Sequence, residues 1–189
     1  MPKNKLTELK ELCIENSIPI IRDNTAKYIA DLINDQQYKS LLEIGSAYGY
    51  SALYFYQFIK DITTIEKNID NFKIVSKYLT GENIVFLCAD AFEYVPNKKY
   101  DVIFIDACKS HQDILVTKYL EYLNFNGVMF IDNIYLKKFD KHDVLTKNQR
   151  NLMKKVVKFQ EWLKKLNDNK KISVEILDID DGLAVIKFC

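Results

Sequence analysis

Short apolar runs that end in an acid or a glycine alternate along this chain with stretches in which apolar side chains recur every three to four positions. The first pattern is that of strands buried on both faces, the second that of amphipathic helices. Helical spacing predicts helices over 7–16 and 23–34, the second carried by Ala26, Ile29, Ala30, Leu32 and Ile33, with Asp23 and Asn24 as N-caps. From residue 40 onward the patterns predict strands over 40–45, 61–66, 83–88, 101–106 and 127–132. Helices are predicted over 50–58, 69–79, 113–123 and 145–166. Two last strands, 172–179 and 182–188, are joined through Asp180-Asp181 and must be antiparallel, because so short a link cannot cross over the sheet.

This order specifies an α/β fold: a doubly wound, mostly parallel seven-stranded sheet with an antiparallel C-terminal strand pair. No repeat or low-complexity linker divides it, so residues 1–189 are read as a single domain. Ligands of such sheets bind at the carboxyl ends of the strands. The residues there are Glu43 with Gly45, then Glu66, Asp90, Asp106 and the pair Asp132-Asn133, an acid at each of these five ends.

Composition narrows the function classes. Hydrophobic residues make up 48% and charged residues 28%, which excludes disorder, and a formal net charge of +1 leaves a polyanion partner dependent on a local basic patch. There is no membrane-length apolar run and no signal-peptide core, so a cytoplasmic protein is expected. Cys13, Cys88, Cys108 and Cys189 are scattered and far from His111 and His142. They are read as reduced thiols, mostly packing residues, and not as a zinc site.

The segment EIGSAYGYS, residues 43–51, leaves the first strand and opens a helix. Two glycines alone are most often a plain turn. A third glycine is missing from the dinucleotide fingerprint, with Ala47 and Tyr50 in that register, and no Gly-Lys-Ser or Gly-Lys-Thr exists for a phosphate loop. Glu66, closing the next strand, is placed to accept both hydroxyls of a ribose. An acid at the start of the loop, Glu43, would repel a pyrophosphate but suits a ligand carrying an ammonium and a sulfonium.

Taken together, LLEIGSAYGYSA, TTIEK, CADAFEY, FIDACK, FIDN and DGLAVIK resemble the metal-dependent O-methyltransferases related to catechol O-methyltransferase. Within them, order and spacing look most like the bacterial tRNA 5-hydroxyuridine methyltransferases. The resemblance covers nearly the whole chain and implies a Rossmann-like methyltransferase sheet, with residues 1–38 as N-terminal helices covering the cofactor site. It further implies that Glu43, Gly45, Ser46, Tyr50 and Ser51 surround the methionine part of S-adenosylmethionine. Glu66 would hold the ribose, and Asp90 and Ala91 would border the adenine. Asp106, Asp132 and Asn133 would hold Mg²⁺ or Mn²⁺, Asp106 also facing the cofactor, and Lys109 would be the catalytic base. Gln112, in place of a tyrosine common in the family, and Asn126-Gly127, in place of a double glycine, depart from the pattern without removing a ligand.

Two carboxylates and a carboxamide are the oxygen donors that a small divalent cation takes while leaving room for substrate. Lys109, three residues after Asp106, would lose its proton more easily beside such an ion. The expected reaction is methyl transfer to the O5 hydroxyl of wobble 5-hydroxyuridine in the tRNA anticodon loop; catechol-like or phenolic small molecules are the alternative substrates. Residues 134–150, with Lys137, Lys138 and Arg150, joined by Arg22, would meet the phosphates of the anticodon stem-loop. A homodimer is implied by the resemblance alone.

Overall fold

The computed structural model describes residues 2–79, 82–107, 110–135, 146–168 and 170–189. Two helices, α1 (Pro2–Glu15) and α2 (Asp23–Asp35), precede an alternating series. That series is β1 (Ser40–Ile44), α3 (Tyr50–Phe55), β2 (Asp61–Glu66), α4 (Ile69–Leu79), β3 (Ile84–Cys88), β4 (Tyr100–Ile105), α5 (Gln112–Leu120) and β5 (Leu123–Asp132). Then come α6 (Lys147–Asn167), β6 (Ile172–Leu177) and β7 (Leu183–Phe188). The seven strands form one sheet in the order β3-β2-β1-β4-β5-β7-β6, parallel except where β7 pairs with β5 and β6. The expected doubly wound architecture with its antiparallel C-terminal pair is therefore present. No helix among the described residues is long and apolar enough to cross a membrane.

Alternation along the central strands sorts their side chains into two cores. Leu41, Val102, Phe104, Val128 and Phe130 pack toward Leu9, Ile29, Phe55 and Val75 of α1 to α4, whereas Leu42, Ile44, Ile103, Ile105, Met129 and Ile131 pack toward Leu115, Tyr119, Phe159 and Leu163 of α5 and α6. A strand apolar on both faces is what such a double layer requires, and this is why the central strands read as continuous apolar runs.

Boundaries shift where local pairing overrides the helical pattern. Helix α5 stops at Leu120, short of the expected 123, because the Tyr122 carbonyl accepts from Tyr100 N at 2.8 Å and Leu123 pairs with Tyr100. The next partners are Val102 and Val128, so the Asn-rich residues 124–127 bulge out of the ladder, and β5 begins four residues earlier than its apolar run. Helix α3 ends at Phe55, not 58, in a tight turn closed by Phe58 N on the Phe55 carbonyl at 2.9 Å. Of the described thiols only Cys13 is a packing residue; Cys88 and Cys189 are exposed. Burial pushes the Cys13 thiol up to about 11.

The connection from β6 to β7 corrects two expectations. It is a longer loop than an Asp-Asp turn, with Gly182 N on the Ile179 carbonyl at 2.7 Å and both Asp180 and Gly182 at positive φ. It also supplies the N-terminal cap of α2, which neither Asp23 nor Asn24 provides. Asp180 Oδ2 accepts from Thr25 N at 2.9 Å and from Thr25 Oγ1 at 3.0 Å, and its Oδ1 accepts from Asn24 Nδ2 at 3.0 Å. The adjoining Asp181, buried, accepts from Arg22 Nη2 at 2.7 Å. A cap contributed from 155 residues away in sequence leaves no local signal. Asp180→Ala should cost about 1–2 kcal/mol of stability, measured by urea denaturation, and an Asn24→Ala chain should lose much less.

Candidate active site

The loop after β1 turns on Gly45, whose φ of +92° and proximity to the next strand exclude a side chain: a Cβ there would lie 2.7 Å from the Asp106 carbonyl oxygen. Backbone bonds from Gly45 N and Ser46 N to the Ile65 carbonyl, at 3.0 and 3.2 Å, and from Asp106 N to the Ile44 carbonyl at 3.0 Å, lock the ends of β1, β2 and β4 together. Below them Glu43 is fully buried. Its two carboxylate oxygens accept from the hydroxyls of Ser51, at the start of α3, and Thr64, its register partner on β2. Burial pushes the Glu43 carboxyl up to about 7. The two hydroxyl donors pull it down, and the nearby charges of Asp106 and Glu66 add to the rise. Glu43 thus supports the loop from behind Ser51.

Two recesses flank this loop. A small one is lined by Ser46, Tyr50 and Ser51 and roofed by residues 18–21 between α1 and α2. The Ser46 hydroxyl there is buried and has no hydrogen-bond partner among the described residues, so the recess holds a polar group that a ligand can satisfy. The larger recess, of about 350 Å³, lies between Gly45, Glu66, Ala89, Asp90, Phe92 and Ala107. Glu66 is fixed at its edge by Ala47 N on Oε2 at 2.8 Å and Asn68 N on Oε1 at 2.7 Å. Each oxygen keeps a further lone pair to accept a ligand hydroxyl. Asp90 bonds Lys67 Nζ at 2.6 Å and Phe92 N at 2.9 Å, and these contacts, the Lys67 one foremost, hold its carboxyl below the usual carboxylate range. The Ala91 carbonyl is held from outside by Tyr119 Oη at 2.8 Å.

Pairing of Phe104 with Phe130 and of Ile105 with Ile131 carries Asp106 and Asp132 out of neighbouring strands side by side, on the Glu43 face of the sheet. Asn133, at φ +58°, turns its carboxamide back onto both: Nδ2 lies 2.9 Å from Asp132 Oδ2 and 3.4 Å from Asp106 Oδ1. No cluster of three or more His, Cys, Asp and Glu side chains suited to a metal occurs among the described residues. The trio has two carboxylates and one carboxamide, whose oxygen and nitrogen exchange places by a half-turn of the terminal torsion. Its donor set fits a small oxygen-seeking divalent cation.

The structure brings Gly45, Ser46, Tyr50, Ser51, Glu66, Asp90, Ala91, Asp106, Asp132 and Asn133 to one edge of the sheet. Lys109, Lys137 and Lys138 lie outside the described residues. Arg22 stands beside the roofing segment, half-exposed and paired with Asp181, and Arg150 is exposed in the first turn of α6.

A family model described as O-methyltransferase matches residues 2–188. This chain belongs to the O-methyltransferase family. A Staphylococcus aureus structure named as a candidate caffeoyl-CoA O-methyltransferase is 30% identical, with a TM-score of 0.85 over 97% of this chain and 92% of that one. A Podospora anserina methyltransferase with S-adenosylhomocysteine bound matches at 20% identity and a TM-score of 0.84, over 98% and 88% of the two chains. A Bacillus cereus O-methyltransferase, also with S-adenosylhomocysteine, matches at 18% and 0.78, over 98% and 91%. These last two likenesses show the fold.

Three contributors to the candidate site escaped the sequence. Thr64 becomes visible only through the register that sets it beside Glu43. Lys67 and Phe92 border the larger recess, and Phe92 packs edge-on to His111 at 6.1 Å. Their signal was position, one or two residues past a strand-end acid.

Because the folded chain holds the Glu43 proton up to about pH 7 while the unfolded chain releases it near 4.5, this group lowers stability progressively as pH rises between those values and no further above them. Glu43→Gln removes the effect. The stability of that variant relative to the native chain should rise by on the order of 3 kcal/mol from pH 5 to pH 8, read by denaturation at each pH.

Proposed function

We propose that this methyltransferase moves the methyl group of S-adenosylmethionine to the O5 hydroxyl of 5-hydroxyuridine at the wobble position of a tRNA anticodon loop, giving 5-methoxyuridine. One observation carries the placement of the chemistry. Asp106 borders the Ser46–Tyr50 recess and the Glu66–Asp90 recess and is also one corner of the Asp106-Asp132-Asn133 trio. A donor spanning both recesses has its centre at Asp106, and an acceptor oxygen at the trio is its immediate neighbour. The occupants of the similar Podospora and Bacillus structures support the cofactor, and the motif resemblance supports the tRNA substrate.

The chain's own groups then have distinct tasks. Glu66 accepts the ribose hydroxyls and is already oriented by two amides, so little order is lost on binding. Asp90 and Ala91 border the adenine, and Ser46 and Ser51 meet the methionine end. Asp106, Asp132 and Asn133 would hold Mg²⁺ or Mn²⁺, which when bound lowers the pKa of a chelating hydroxyl and neutralises its developing charge. A 5-hydroxyuridine offers adjacent O5 and O4 atoms to such a site. Lys109 takes the hydroxyl proton, and the oxygen attacks the methyl carbon as the carbon–sulfur bond breaks, leaving S-adenosylhomocysteine. Since the sulfonium methyl is already activated, alignment of oxygen, carbon and sulfur is the remaining demand.

A second reading, methylation of a phenolic small molecule, is favoured by the name of the Staphylococcus structure. Nucleoside mass spectrometry separates the two: the chain is incubated with S-adenosylmethionine, Mg²⁺ and tRNA bearing 5-hydroxyuridine, with or without EDTA, beside a catechol control. A gain of one methyl on 5-hydroxyuridine, lost with EDTA, is expected; methylation of the catechol alone would sink the tRNA reading. Asp132→Ala should abolish turnover. Lys109→Ala should lower it about 100-fold or more at neutral pH with S-adenosylhomocysteine affinity retained, and a full rate would remove Lys109 as the base. The resemblance also proposes a homodimer, which sedimentation equilibrium tests.

A further inference from the structure

The near-neutral net charge of this chain conceals a strong segregation. Helix α6 carries seven cations and a single acid, Glu161, a formal +6, so the remaining residues together carry −5 of the overall +1. Lys147, Lys154, Lys158 and Lys165 follow one another at intervals of seven, four and seven positions. At 3.6 residues per turn they form one stripe about 27 Å long, opposite the buried Val156, Phe159 and Leu163. All four are exposed, and none makes an ion pair with an acid among the described residues.

The stripe is tied to the active site. Gln160 Nε2 donates to the Ile134 carbonyl at 2.7 Å, one residue past Asn133, while Asn167 at the far end of the helix accepts from Val174 N of β6 at 2.7 Å. The helix therefore passes the level of the trio at Gln160. From there its N-terminal turns, which carry Lys147 and Lys154, run on away from the mid-sheet level of Val174.

Beside the stripe, against the start of α5, lies a recess of about 140 Å³ lined by Lys155, Lys158, Phe159, Trp162, Ser110 and Gln112, with the acid Asp113 at its border. Phe159 and Trp162 stack at 5.7 Å with planes 16° apart. The Gln112 side chain is 1% exposed, and neither its Oε1 nor its Nε2 has a hydrogen-bond partner among the described residues. A buried carboxamide with a donor and an acceptor to spare is costly unless something bonds it. A carboxamide beside a flat aromatic pair and two ammonium groups matches a nucleobase edge, a base face and a phosphate.

We propose that the lysine stripe of α6 is a rail for the backbone phosphates of the RNA substrate, and that the adjoining recess takes a base next to the one methylated. The proposal rests on the tRNA reading and extends its contacts from Lys147, within the 134–150 segment, to Lys154, Lys158 and Gln112 beyond it. Regular cation spacing along a rigid rod suits a regularly charged strand, and the Gln112 recess adds base chemistry that an acidic protein would leave unused.

Fluorescence anisotropy of a labelled anticodon stem-loop RNA with the full-length chain, over a salt series, tests this. The variant K147Q/K154Q/K158Q should bind more weakly, and the slope of log affinity against log salt should become shallower by about 2, near 0.7 for each single-strand phosphate that is no longer neutralised. K147R/K154R/K158R should keep the native slope. Gln112→Leu should weaken binding several-fold with the slope unchanged, the signature of a base contact and not a phosphate contact. Unchanged thermal unfolding and S-adenosylhomocysteine affinity certify the fold of each variant. Native affinity and slope in the glutamine variant would overturn the rail while leaving tRNA methylation intact. Displacement of the RNA by polyglutamate at equal charge would transfer the stripe to an acidic protein partner. No RNA binding by the native chain at low salt would overturn both the rail and the substrate reading.

Discussion

Register in the parallel pairs β2–β1, β1–β4 and β4–β5 is the constraint on which the site depends. Because side chains alternate across a strand, a slip of one residue would turn every inward group outward. In the observed register Glu43 meets Thr64, and Asp106 and Asp132 emerge together from adjoining strands. The large apolar side chains on both faces fix that register, since any other pairing would expose Phe104, Phe130 or their neighbours on the second face. Packing that looks purely structural thus sets the spacing of the polar groups.

The consequence is electrostatic. Five acids crowd the carboxyl edge, and they are managed in different ways. Glu43 is buried with two hydroxyl donors, Glu66 is held by two amides, and Asp90 is paired with Lys67. Asp106 and Asp132 share the Asn133 amide. An edge so arranged favours cationic ligands, while the opposite sign is gathered on α6. Segregation of this kind separates the ligands each surface can attract.

Most of the fold was legible because its strands and helices each carry one dominant period. Seven strands, their order of appearance and the antiparallel end followed from apolar runs and connection lengths. What escaped was non-local. The early start of β5 depends on Tyr100, and the cap of α2 on Asp180, so the local sequence in each case pointed elsewhere. The site was legible to the extent that strand-end residues are fixed by the strands themselves; Asn133 and Asp106 needed only the register. Arg22 read as a surface cation because its partner Asp181 lies 159 residues away. Charge on α6 was hidden by the overall balance and by the basic segment that runs into the helix.

The Asp180–Gly182 turn joins more than two strands. Its side chains cap α2 and hold Arg22, while the Asp181 and Gly182 carbonyls accept from Tyr135 N at 2.8 Å and Ile134 N at 3.2 Å, just past the trio. Gly182 is pressed so close to the Tyr135 ring that a Cβ would stand 2.3 Å from it. The roof over the small recess and the trio's flank are therefore tied together by one turn that lies 155 residues from α2 in sequence. Seating of the first helices thus depends in part on closing a long loop, which places completion of the roof among the slower, non-local steps of folding.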